Sequence, residues 1–245
     1  MNLVEWLQGL MTNFGAGWVM WLLLGLNVVA VAIMLERGWF YWSLRDDIGK
    51  LATKLRGALR DGDFEAAKQT MDRSSSAEAA VVVAGLLEAD RGPRAADEAM
   101  KGAAALQRMK LEKRLAYLAT LGNNAPFLGL FGTVIGIVEA FDALGKQDAA
   151  AAAAAAAAQS VTAPAEVMAS IGEALVATAV GIFVAIPAVA AFNYFNRQAK
   201  SILANTEALS RVLLAHLAAV ADGHATLHSA PAPAPESEDE DGDKD

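Results

Sequence analysis

Cysteine is absent from the 245 residues, so no disulfide, thiolate metal site or cysteine nucleophile is available. Histidine is scarce: His216, His224 and His228 all fall late, with no second ligand type at metal-binding spacing. Positive charge is also short, with 20 Lys and Arg against 28 Asp and Glu. The resulting net charge of -8 argues against a nucleic-acid partner, which would need clustered cations to neutralise phosphates. That sign is concentrated at one end, because seven acidic residues lie in the last ten positions. Nowhere do a nucleophile, a base and an orienting group fall together, so the chain does not read as an enzyme, and nothing calls for a cofactor.

Charge of either sign is missing from three long stretches: Trp6 to Leu35 (30 residues), Leu115 to Val138 (24) and Ala174 to Asn196 (23). A hydrocarbon core roughly 30 Å thick takes about 20 apolar helical residues to cross, so these gaps are candidate membrane spans. The predicted fold class is therefore an all-α membrane protein of three transmembrane helices with long helical extensions. Basic residues set its orientation, since they stay on the cytoplasmic side. None precede the first span, 15 lie between Arg37 and Arg114, Lys146 alone separates the second and third spans, and four follow the third. This places the N-terminus outside and the first loop and C-terminus inside.

The expected organisation is an outer segment over 1–17, spans over 18–42, 115–141 and 167–196, and a cytoplasmic helical loop over 43–114. An outer connection over 142–166, a cytoplasmic helix over 197–229 and a disordered acidic tail over 230–245 complete it. The first gap does not read as a signal peptide, because it has no basic start and its apolar stretch is too long. Trp18 and Trp21 at one end, and Trp39 to Trp42 at the other, fit aromatic belts. Leu3, Trp6, Leu7 and Leu10 share one face of a possible short amphipathic helix over Met1 to Phe14. In the loop, Ile48, Leu51, Ala52, Leu55, Ala58 and Leu59 repeat at helical spacing, and Asp61-Gly62-Asp63 supplies a stop and an N-cap. From Ala95 to Leu121 the pattern predicts one helix running straight into the second span. Ten alanines, Ala149 to Ala158, are too short and too weakly apolar for a fourth span and read as an extension.

Small residues line one face of each later span. Gly129, Gly132, Gly136 and Ala140 do so in the second; Ser170, Ala174, Gly181 and Ala185 do so in the third. In lipid such faces allow close helix packing, and packing alone is a sufficient reading. Thr133 lies 19 residues from Arg114 and Thr178 lies 19 from Arg197, so in antiparallel helices both hydroxyls stand at one depth, roughly 28 Å from the charges. They either line a polar track or bond back to their own helices. Glu173, the only charge between Glu166 and Arg197, either serves a task or sits at the outer interface. Glu139 and Asp142, nearer the outer loop, are expected to be solvated.

The run from Asn124 to Phe141, NAPFLGLFGTVIGIVEAF, and that from Ser170 to Asn193, SIGEALVATAVGIFVAIPAVAAFN, closely resemble the ExbB/TolQ family of inner-membrane proton-channel proteins, relatives of the flagellar stator protein MotA. Three spans rather than four favour the ExbB/TolQ branch. The resemblance implies a homopentameric ring around the single-span helices of a dimeric ExbD/TolR-type partner whose Asp takes up and releases protons. It makes Thr133, Thr178 and Glu173 the proton pathway. It also implies proton-driven work on the envelope, for TonB-dependent uptake through a TonB-type protein, Tol-type maintenance through a TolA-type protein, or gliding. A non-conducting scaffold is the alternative. The alanine-rich connection is longer than the family pattern, which leaves the outer mouth of the channel open to question.

Overall fold

A computed structural model describes Leu3, Trp6, Gly15, residues 17–155 and residues 164–223, with side chains described for all of these but 147–155 and 164–166. The possible helix over residues 1–14, the last alanines of the run and the acidic tail lie outside this description. Among the continuously described residues seven α-helices follow one another: α1 Gly17–Ser43, α2 Ile48–Arg60, α3 Phe64–Asp72, α4 Ala77–Leu87, α5 Pro93–Glu112, α6 Leu115–Ala155 and α7 Pro164–Ala221, with a 3-10 turn at Ala89–Arg91. No strand occurs among the described residues, and the chain is all-α as its sequence predicts. Three of these helices, α1, α6 and α7, are long and apolar enough to cross a membrane. The chain divides into two compact units, one of Met1–Ser43 with Arg108–Ser201 and one of Leu44–Gln107 with Ile202–Asp245.

The second unit has a water-soluble type of core. Leu51, Leu55 and Leu59 of α2 are buried at four-residue spacing and meet Met71, Val81, Val82, Leu86, Met100 and, from α7, Leu209, Leu213 and Leu217. Each such leucine contributes about 1.5–3 kcal/mol by leaving water. Side-chain caps begin the helices: Asp47 accepts from the Lys50 amide at 3.1 Å, Asp63 from Ala66 at 2.8 Å and Ser76 from Ala79 at 3.2 Å. Gly85 marks the closest approach, since a Cβ there would meet Met100 Sδ at 2.7 Å and Leu213 Cδ2 at 2.9 Å.

Among the described residues of this unit, one carboxyl is buried. Glu78 is only 3 % exposed. Burial pushes its proton affinity up and nearby Asp46 adds to this, against the opposing hydrogen bonds of its own amide and of Asn205. A group whose folded pKa is raised contributes stability that is complete below its unfolded value, near 4.3 for glutamate, and lost as pH rises through the folded value. Glu78→Gln is therefore expected to raise the thermal midpoint at neutral pH and to flatten its decline with pH above about 4.3. Midpoints measured from pH 4 to 8 test this, and an unchanged slope in the variant would refute it.

In the first unit the expected unbroken helix from Ala95 into the second span is interrupted. Helix α5 ends at Glu112, α6 starts at Leu115, and Arg114 between them has φ 64°. A non-glycine residue in this left-handed region costs roughly 1–2 kcal/mol. The offset comes from α1. Arg37, 2 % exposed, donates from Nη1 to the Lys110 and Leu111 carbonyls at 3.0 and 3.4 Å, and the Tyr41 hydroxyl donates to Leu111 at 2.9 Å. Carbonyls that a helix end would strand are thereby satisfied, and hydrogen bonds from a charged donor are worth about 1.5–3 kcal/mol each. Arg114 pairs with Glu36 at 2.9 Å, and the Tyr41 ring stacks on Phe195 with centroids 5.4 Å apart. Farther along, the Tyr117 hydroxyl donates to the Leu26 carbonyl at 3.1 Å, and Trp18 meets Phe131 edge-on.

Candidate functional site

The small-residue faces of α6 and α7 lie against each other. A Cβ on Gly129 would stand 2.9 Å from the Ala177 carbonyl oxygen and 3.0 Å from Thr178 Cα. One on Gly181 would stand 2.7 Å from the Ala125 carbonyl and 3.0 Å from Gly129 Cα. On Gly136 it would meet Ala174 Cβ at 2.5 Å and the Ser170 carbonyl at 3.1 Å; on Gly132, Ala177 Cβ at 2.8 Å and Val19 of α1 at 3.4 Å. The glycines therefore let backbone touch backbone, which is how helices associate where lipid tails offer no hydrophobic drive. Gly122, against Val189, extends the seam by two turns, and Ala125 and Ala177 are buried in it. These three continue the same three-and-four spacing, so the signal that finds them is the one that finds Gly129.

Within this seam the two threonines behave differently. Thr178 donates its hydroxyl proton across the seam to the Gly129 carbonyl at 3.1 Å. Thr133 donates to Leu130 of its own helix at 2.6 Å. Of the two alternatives open from the sequence, Thr133 takes the local bond; Thr178 takes a bond to the neighbouring helix that neither alternative named. In a regular α-helix the Gly129 carbonyl also accepts the amide four residues on, which is that of Thr133. Thr178 thus reaches α6 at the level of Thr133. Both hydroxyls keep their lone pairs as acceptors for a water or an acidic proton.

Glu173 is not brought to the hydroxyls. Five residues of helix from Thr178 turn it by about 140° and set it about 7.5 Å farther along. It is exposed within the single chain, and its Oε1 lies 3.2 Å from where a Cβ on Gly17, the first residue of α1, would be. Counting residues gives depth and turn but not the side on which α1 packs, so this neighbour could not be read in advance. Glu139, by contrast, is half-buried, and it approaches Gly15. Pro126 lies inside α6 and Pro187 inside α7, and each withholds an amide from the carbonyl four residues back. Neighbouring groups re-satisfy such carbonyls in membrane helices.

Three long apolar helices, two of them joined through glycine, define a polytopic α-helical membrane protein. Residues 73–208 match the MotA/TolQ/ExbB proton channel family, which is more than half of the chain. The chain belongs to that family. It is 39% identical over 117 residues to the biopolymer transport protein ExbB of Xanthomonas campestris pv. campestris, covering 48% of this chain and 42% of that one. Against the Tol-Pal system protein TolQ of Pseudomonas aeruginosa it is 42% identical over 105 residues, 43% of this chain and 40% of the relative. Against the ExbB of Aquifex aeolicus it is 35% identical over 112 residues, 46% and 67% respectively. The matched region thus spans about two fifths of the Xanthomonas and Pseudomonas relatives.

Proposed function

We propose that this protein is a proton-conducting subunit of an inner-membrane motor that turns proton-motive force into work on the envelope. The observation that carries this reading is the Thr178 hydroxyl bound to the Gly129 carbonyl across the α6–α7 seam, level with Thr133. It keeps polar atoms at a depth where an idle polar group is a cost. Several copies, five by family resemblance, form a ring with its N-termini outside and C-termini inside. An ExbD/TolR-type dimer places its single-span helices within, and a carboxyl on each takes up a proton from the outer side and yields it to the inner side. Each change of charge alters which hydroxyls and waters bind that carboxyl and so favours a different pose of helix against ring. Purified with and without the coexpressed partner and reconstituted in liposomes, the protein is expected to pass protons only with the partner. A wild-type complex that assembles and conducts none would sink the proposal and leave a scaffold.

The task energised is, in our reading, TonB-dependent uptake, in line with the ExbB relatives; a Tol-type role is the second reading, in line with the TolQ relative. Deletion separates them. Lost receptor-dependent uptake with a sound outer membrane supports the first, and leakage of periplasmic proteins with normal uptake supports the second.

A further inference from the structure

Two carboxylates from different helices approach two glycines at the start of α1, Gly15 just before it and Gly17 at its first residue. A Cβ on Gly15 would stand 3.1 Å from Glu139 Oε1, and one on Gly17 would stand 3.2 Å from Glu173 Oε1. Residues two apart have Cα atoms at most about 7 Å from each other, so both acids flank one small region. Gly15 has φ 67°, a conformation suited to glycine, and neither glycine offers a side chain that would push the oxygens away.

The arrangement repeats on the two helices. Glu139 lies six residues outward of Thr133, about 9 Å of rise, and Glu173 five residues outward of Thr178, about 7.5 Å. In each case the carboxyl is turned from the hydroxyl by about 120–140°. Glu139 also shares a stripe with Gly132, seven residues before it, and Gly132 faces both Ala177 and Val19 of α1. The acid therefore lies on the flank of the seam that α1 covers. Among the residues whose side chains are described, the other charges on this end of α6 are Asp142 and Lys146, whose side chains lie 2.6 Å apart. On α7, among the residues whose side chains are described, it is Glu173, and α1 presents no charge before Glu36.

We propose that Glu139 is a second proton-carrying carboxylate of the path, acting with Glu173 at its outer entrance, where Gly15 and Gly17, at the start of α1, form the wall. This deepens the function proposed above and rests on it. A proton arriving from outside converts one carboxylate to the acid, and its onward transfer toward the hydroxyls restores the anion, so nothing is consumed.

The test measures proton flux through the partner-bound complex in liposomes as the pH on the outer side is varied from 5 to 8, with a pH-sensitive dye inside. Glu139→Gln is expected to assemble normally, to lower flux at least fivefold at neutral pH, and to change the pH profile. Glu139→Asp, which keeps the carboxyl, is expected to stay within about twofold of wild type with its profile shifted. An E139Q complex with wild-type flux and profile overturns the inference, as does equal loss in both variants with the wild-type profile kept, which is the mark of packing. Should E139Q fail to assemble, the profile of E139D decides, and no shift there overturns it. A silent wild type would instead strike at the proposed function itself, so the two failures are distinguishable.

Discussion

Thr178→Val is expected to reduce proton flux and the work it drives at least tenfold while leaving the assembled complex intact. Valine matches threonine in shape and lacks only the hydroxyl. The lost bond to the Gly129 carbonyl is of a kind that averages about 0.6 kcal/mol in membrane proteins, too little to disrupt assembly. The acceptor also keeps its place in its own helix. What disappears is a donor and two lone pairs at the one level where α6 and α7 both carry a hydroxyl. Glu173→Ala is expected to abolish flux for a related reason, because it removes a carboxyl at the outer end of the same path. Size-exclusion profiles and liposome flux, measured together, check both. Normal flux in T178V and E173A alike would remove the path.

The largest structural effect is expected at Gly181. A Cβ there would press on the Ala125 carbonyl oxygen at 2.7 Å and on the Gly129 amide nitrogen at 3.1 Å. Both are backbone atoms of α6, so no side chain can turn aside and the helices must separate. Gly181→Ala is expected to lower the thermal midpoint clearly, overpacking being worth about 1–3 kcal/mol, and Gly181→Val to leave no stable complex. Gly57 in α2, with open space around it, supplies the control. Gly57→Ala should be neutral or stabilising by up to about 1 kcal/mol through helix propensity. A G181V protein that purifies with wild-type size and midpoint would show that the seam is not held by close backbone contact.

What could be read from the residues and what could not follows a physical division. The spans were legible because lipid imposes its own rule: a charge gap of the right length must be helical whatever packs beside it. The seam was legible because Gly129, Gly132 and Gly136 repeat with the period of the helix itself. The break at Lys113 and Arg114 was not. Nothing local in Glu112-Lys113-Arg114 stops a helix, and the groups that make stopping tolerable, Arg37 and Tyr41, are about 70 positions away. The surroundings of Glu173 and Glu139 were hidden for a different reason. Residue counts fix height, whereas the side on which α1 lies depends on how three helices pack, and so Glu139 was expected to be solvated when it is half-buried against Gly15.

The two prolines have a mechanical meaning. Pro126 and Pro187 sit on adjacent antiparallel helices, and the contact of Gly122 with Val189 puts them within about one turn of the same height. Each helix is therefore missing a rung of its ladder beside the place where its neighbour is missing one. Bending such a pair meets least resistance at that shared height, so the two would flex as one leaf instead of shearing along the glycine seam. A ring built of these pairs would have a pliant waist on the inner side of its hydroxyls. The tight contacts at Gly129 and Gly181 could then stay closed while the ends below them swing.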